Sequence, residues 1–194
     1  ANNNQLLAID GSDSVNKFYG DTLPGRAISY LQRKNKIHQK TLSDYIQKNQ
    51  PSADFVNTWK ANLQYEVLDA YFSFSTNNAN QIDEAYERNY NIWNNITLSL
   101  YKDAPLINET ALGAATYNFF LSNYVLRTKE MQWKLFKTNR SDFLLEWYGK
   151  DTAAGAVLFT EDKSNDFQQR IIDRYFTGKA KEYLYAVLIN GALG

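Results

Sequence analysis

From Pro51 to Thr76 the chain reads PSADFVNTWKANLQYEVLDAYFSFST, and Phe55, Trp59, Leu63, Val67, Tyr71 and Phe74 recur within it every three or four residues. That is the helical period, and it predicts one long amphipathic helix. Val56, Leu68 and Phe72 widen the apolar stripe beyond a coiled-coil seam. A helix so broadly apolar needs other helices on most of its sides. It therefore sits at the centre of a packed helical domain, with Leu63 and Val67 in the core. No long stretch alternates with period two, so negligible sheet is expected. The expected fold class is all-α: a single multi-helix domain of antiparallel helices, built as a bundle or a helix-pair solenoid.

The punctuation of the chain orders the remaining helices. Residues 1–22 read as a lead-in, with 23–194 as the helical domain. Within the lead-in, Leu6 to Ile9 resembles the tail of a strand, and Asp10 to Ser14 has turn and capping chemistry. The alternating oxygens of that turn hint at a calcium loop, but the later ligands and closing Glu are missing. After Pro24-Gly25 a helix or helix pair carries Ile28, Leu31, Leu42, Tyr45 and Ile46. It ends at Asn49-Gln50-Pro51, because the residue before proline is pushed away from helical angles. Ser52 then caps the long helix, which is expected to stop at the polar run Ser75 to Asn78.

Further helices are expected over Gln81–Tyr101, from Asn108 or Thr110 onward, after Ser141, over Ala153–Phe159, over Asp166–Phe176 and beyond Gly178. The opening ANNNQLLAID and the ending INGALG are those expected of a fragment of a longer protein.

Charge and composition exclude several functions. Lys plus Arg equal Asp plus Glu at 21 each, so no net field draws nucleic acid. The densest basic group, Arg33, Lys34, Lys36 and Lys40, reads as a solvated helix face. With no cysteine, the chain itself holds no disulfide, thiol nucleophile or Cys-based zinc site. No apolar run approaches the ~20 residues that span a bilayer.

Candidate chemistry is sparse. His38 is the single histidine, and without a nucleophile elbow nearby it reads as an exposed surface residue. Carboxylate pairs such as Glu66 with Asp69, or the group Glu161, Asp162 and Asp166, are better explained by local helix chemistry. Glu84 with Arg88 is an i,i+4 ion pair. No catalytic, cofactor-binding or metal-ligating residue is assigned, and no cofactor is expected. Trp59, Trp93, Trp133 and Trp147 are the candidates for lining an aromatic groove for a peptide or glycan, although rings at helical spacing usually fill cores.

Two segments carry a family resemblance. Ser52-Ala53-Asp54-Phe55-Val56 with Lys60 to Glu66, and Pro105 to Glu109 with Ala111-Leu112, Tyr117 to Phe120 and Tyr124, resemble the helical region of TlpA-type bacterial envelope proteins. Tyr175-Phe176, Gly178 and Lys181 to Leu184 extend the likeness, which runs in order from Gln32 to Leu188. In that family the helical region precedes a thioredoxin-like domain. The resemblance implies a periplasmic or membrane-anchored thiol:disulfide oxidoreductase as the parent protein. Its Cys-x-x-Cys is absent here, so no catalytic residue carries over. The implied role is a non-catalytic accessory domain whose partners are the adjoining thioredoxin-like domain and client proteins. The alternative is a free-standing helical module that binds a peptide or glycan.

Overall fold

The computed structural model describes residues 14–138, 140–149, 152–161 and 164–193. The strand tail and the calcium-loop reading at residues 6–13 lie outside them. Among the described residues the fold is all-α, with eight α-helices and no strand. The chain falls into two compact units, Ala1–Phe120 and Leu121–Gly194.

In the first unit, Ser14 opens a short 3-10 helix, Val15–Phe18, by accepting a hydrogen bond from the Asn16 amide. Helix α1, Gly25–Asn49, is one unbroken helix. It stops at Gln50, which takes left-handed angles (φ 45°, ψ 56°) immediately before Pro51. Helix α2, Ala53–Arg88, starts where Ser52 Oγ accepts from the Phe55 amide at 3.3 Å. A three-residue turn between two helices in contact makes α1 and α2 an antiparallel hairpin.

Helix α2 runs through Ser75 to Asn78 instead of stopping there. Two hydroxyls of that run, Ser75 Oγ and Thr76 Oγ1, bond back to the Phe72 carbonyl within the helix. Asn78 is buried: its Oδ1 accepts from the Gly20 amide at 2.7 Å, and its Nδ2 donates to the Asp21 carbonyl at 2.8 Å. A polar run that would end an isolated helix is held in it by tertiary partners. The backbone leaves helical angles only at Asp83, and the next helix, α3, spans Tyr90–Leu100 rather than beginning near Gln81.

The buried face of α2 also differs from the expected stripe. Leu63, Leu68, Tyr71, Phe72 and Phe74 are core, joined by Tyr65, which is fully buried, while Phe55, Trp59 and Val67 are only half-buried. Aromatic rings fill this core. Tyr65 packs on Tyr117 with centroids 4.5 Å apart, and Trp93 meets Tyr71, Phe74 and Tyr86. The phenol hydroxyls find acceptors at its edge. Tyr65 donates to the Pro105 carbonyl, Tyr71 to that of Trp93, and Tyr117 to that of Leu106.

After a short 3-10 helix, Glu109–Ala111, helix α4 spans Ala115–Thr138. Neither Asn108 nor Thr110 caps it. Asn62 of α2 does so from the side, accepting from the Thr116 amide at 3.0 Å and from its hydroxyl at 2.6 Å.

The second unit carries α5, Arg140–Tyr148, α6, Thr152–Glu161, α7, Ser164–Tyr175, and α8, Gly178–Leu193. Helices α5 and α6 pack closely at Gly155, where an added Cβ would lie 3.1 Å from that of Leu144. Trp147 and Phe143 pack against Phe167, and Arg174 lies 4.6 Å over the Trp147 ring.

Candidate functional site

A broad concavity lies within the first unit, on the α1–α2 hairpin. It is a groove of about 980 Å³ with three sides. Leu63, Val67 and Leu68 of α2 form its floor, and residues from Gln32 to Gln47 of α1 form one wall. The opposite wall is the end of α3 and the turn after it, through Leu100, Asp103 and Ala104. Gln64 ties floor to wall, its Nε2 donating to the Asp103 carbonyl at 2.7 Å.

Behind the α1 wall is a buried polar network. Asn35 Nδ2 donates to Glu66 Oε2 at 2.6 Å and to the Leu63 carbonyl at 2.8 Å, and Asn35 Oδ1 accepts from Gln39 at 2.7 Å. His38 Nδ1 bonds the other Glu66 oxygen. The acceptor-only carboxylate places a hydrogen on Nδ1. His38 Nε2 is buried and has no hydrogen-bond partner among the described residues.

His38 is thus a buried residue, not the exposed one its sequence context implied. Because α1 continues without a break, Ala27, Leu31, Asn35, His38 and Leu42 fall at helical spacing on its inward face. Glu66 is likewise occupied by a tertiary network rather than by its own helix. A His–Glu pair has the orienting half of a catalytic triad. Nε2 is closed off, however, and no Ser, Thr or Cys oxygen or sulfur bonds it. The arrangement fastens α1 to α2.

The other candidate pairs are local. Glu84 and Arg88 form their i,i+4 pair at 3.6 Å on the surface. Asp166 sits in the first turn of α7, and Asp162 lies outside the described residues. Among the described residues, no group of three or more His, Cys, Asp or Glu is placed to hold a metal ion. No described helix is long and apolar enough to cross a membrane.

The tryptophans whose side chains are described do not line the groove. Trp93 and Trp147 are core residues, and Trp59 is half-buried beside Phe55, which also meets Tyr45. The Trp133 side chain falls outside what the structure describes. No aromatic residue is among the described residues that line the groove: its α1 wall is amides, Ser43, Lys36, Leu42 and Ile46 over an aliphatic floor. Sequence reasoning missed this site because amides on a helix read as solvent-facing. The available signal was Gln32, Gln39, Ser43 and Gln47 on an otherwise amphipathic helix.

Comparison with models of protein families, with characterised proteins and with solved structures finds no match to this chain.

Proposed function

We propose that this chain is the non-catalytic helical accessory domain of a TlpA-type, thioredoxin-like thiol:disulfide oxidoreductase of the periplasm or cell envelope. Its role is to bind proteins that the catalytic domain acts on. The observation carrying this reading is that the segments bearing the family resemblance interlock. Tyr65 of the first donates to Pro105 of the second and packs on Tyr117 and Phe120. Asn62 of the first caps α4 at Thr116, beside Tyr117. Motifs separated by some forty positions along the chain thus form one packed unit, as markers of a shared helical scaffold do. With no cysteine, the chain itself holds no thiol–disulfide couple, which is consistent with an accessory role.

The decisive test is the coding sequence beyond Gly194. It is expected to continue into a thioredoxin-like domain with a Trp-Cys-x-x-Cys-like motif, and a stop codon shortly after Gly194 overturns the proposal. A free-standing binding module is the second reading. The groove on the α1–α2 hairpin favours it, through amide and aliphatic side chains rather than aromatic ones.

A further inference from the structure

The cations around the groove are unevenly matched, although the whole chain is neutral. Lys40 is already paired with Asp44 at 2.7 Å, one turn along α1. Arg33, Lys36 and Lys60 have no carboxylate partner among the described residues. Lys36 and Lys60 stand on the α1 wall and at the α2 floor of the groove, where Asp103 is the one acidic residue of the lining.

Two smaller hollows extend the track. One, of about 400 Å³, shares Gln32 and Lys36 with the groove and adds Arg33. The other, of about 500 Å³, shares Lys60 and Gln64 and reaches Asn108. A basic track with an aliphatic floor therefore crosses the hairpin.

The polar wall is built to receive hydrogen bonds. Gln32, Ser43 and Gln47 bond no other described residue through their side chains. Asn35 and Gln39 are fixed by the Glu66 network and present a preorganised surface. Among the described residues the groove is bounded on three sides: α2 has α1 on one flank and α3 on the other, with Val67 half-exposed between them.

We propose that this groove receives an amphipathic, acidic polypeptide segment from a partner protein. Its apolar side chains lie on Leu63, Val67 and Leu100, and its carboxylates meet Lys36 and Lys60. The proposal deepens the accessory-domain reading by naming the chemistry of the client. Helix-in-groove recognition has this form, with anchors at i, i+3, i+4 and i+7. The flanking charges select the partner and steer its approach. The described lining residues include no aromatic platform for stacking bases, and their few cations fall short of a phosphate-tracking surface.

The test is fluorescence anisotropy of the full chain with two labelled peptides. Both carry leucine at i, i+3, i+4 and i+7; one has glutamate and the other lysine at the flanking positions. The glutamate peptide is expected to bind at least about tenfold more tightly than the lysine peptide, a difference of ~1.4 kcal/mol. Its affinity falls as salt is raised. The K36E/K60E double variant reverses the preference, and Val67→Asn weakens both peptides while its thermal melt stays close to the parent's. Equal affinity for the two peptides, binding of neither, or a preference unchanged in K36E/K60E overturns the proposal. So does a concentration-dependent dimer in sedimentation velocity that K36E/K60E abolishes, which would make a second copy the occupant. Peptide binding joined to a stop codon after Gly194 would retain the groove and remove the oxidoreductase parent. A downstream thioredoxin-like domain joined to failed binding would do the reverse.

Discussion

His38 acquires its surroundings from a residue 28 positions away along the chain. Nothing in its basic local context marks it as buried, and only the continuity of α1 turns it inward toward Glu66. Glu66 then accepts from two side chains at once, His38 and Asn35. Glu66→Gln replaces one acceptor with a donor and leaves a buried donor facing it. A loss of about 1–3 kcal/mol in unfolding free energy is expected from urea melts. A variant as stable as the parent would show that the network contributes no net stability.

Val67 and Leu68 make a second contrast at this scale. The heptad-like spacing placed Val67 in the core, yet Leu68 is 1 % exposed and Val67 is half-buried on the groove floor. Leu68→Asn should cost at least the ~2–5 kcal/mol of a buried leucine truncation, because it also buries an unpaired amide. Val67→Asn should cost less than ~1 kcal/mol. Thermal melts that rank the two the other way would contradict this placement.

At the scale of elements, the α1–α2 hairpin shows why local signals located some boundaries and missed others. Pro24-Gly25, Asn49-Gln50-Pro51 and Ser52 act through sterics and capping that need no tertiary partner, and the helix ends fall where they indicate. The run Ser75 to Asn78 is expected to end the helix because its residue types have poor helix preference, yet α2 continues through it. Asn78 overrides that preference by bonding Gly20 and Asp21, some 58 positions back along the chain. The start of α4 has the same lesson, since its cap is Asn62 rather than a neighbouring residue.

Gln50 is a strained point in the turn of the hairpin. Its φ of 45° lies in the left-handed region, which costs an L-residue roughly 1–2 kcal/mol. Gln50→Gly relieves that cost but loosens the unfolded chain. A net gain of about 0.5–1 kcal/mol is expected in chemical denaturation, and a loss would show that the Gln50 side chain contributes more than its backbone costs.

At the scale of the molecule, both units depend on rings whose hydroxyls are withdrawn from water. Burial pushes the Tyr65 phenol up to about 12 in the first unit, and the Tyr124 phenol to about 12 in the second. Burial also raises Tyr117 and Tyr175. A pKa raised by folding gives stability that is fully present below the ordinary value of 10.0 and is lost as pH climbs from there toward about 12. Unfolding free energy should therefore be flat with respect to these groups up to about pH 10. Above that it should fall by as much as ~1.4 kcal/mol per pH unit for each such tyrosine. Denaturant melts across the alkaline range, read beside tyrosinate absorbance, check this. Stability unchanged up to pH 11.5, about one and a half units above the ordinary tyrosine value, would mean that the rings titrate as if exposed. Tyr65→Phe should remove its share of the slope.

Period and punctuation alone determined that the described residues are all-α, that α2 packs against neighbouring helices, and that the chain has no cysteine chemistry of its own. These follow from spacing, capping and composition, which act over a few residues. Tertiary structure alone decided which side of α2 is core, that His38 and Glu66 are a buried fastening, and that α2 continues past Asn78. It also decided that the groove on the α1–α2 hairpin is lined, among the described residues, by amides, lysines and aliphatic side chains. The physical reason is common to all four. A polar side chain is marked by its sequence as wanting a partner, but whether that partner is water, its own helix or a distant chain segment depends on which surfaces the fold brings together.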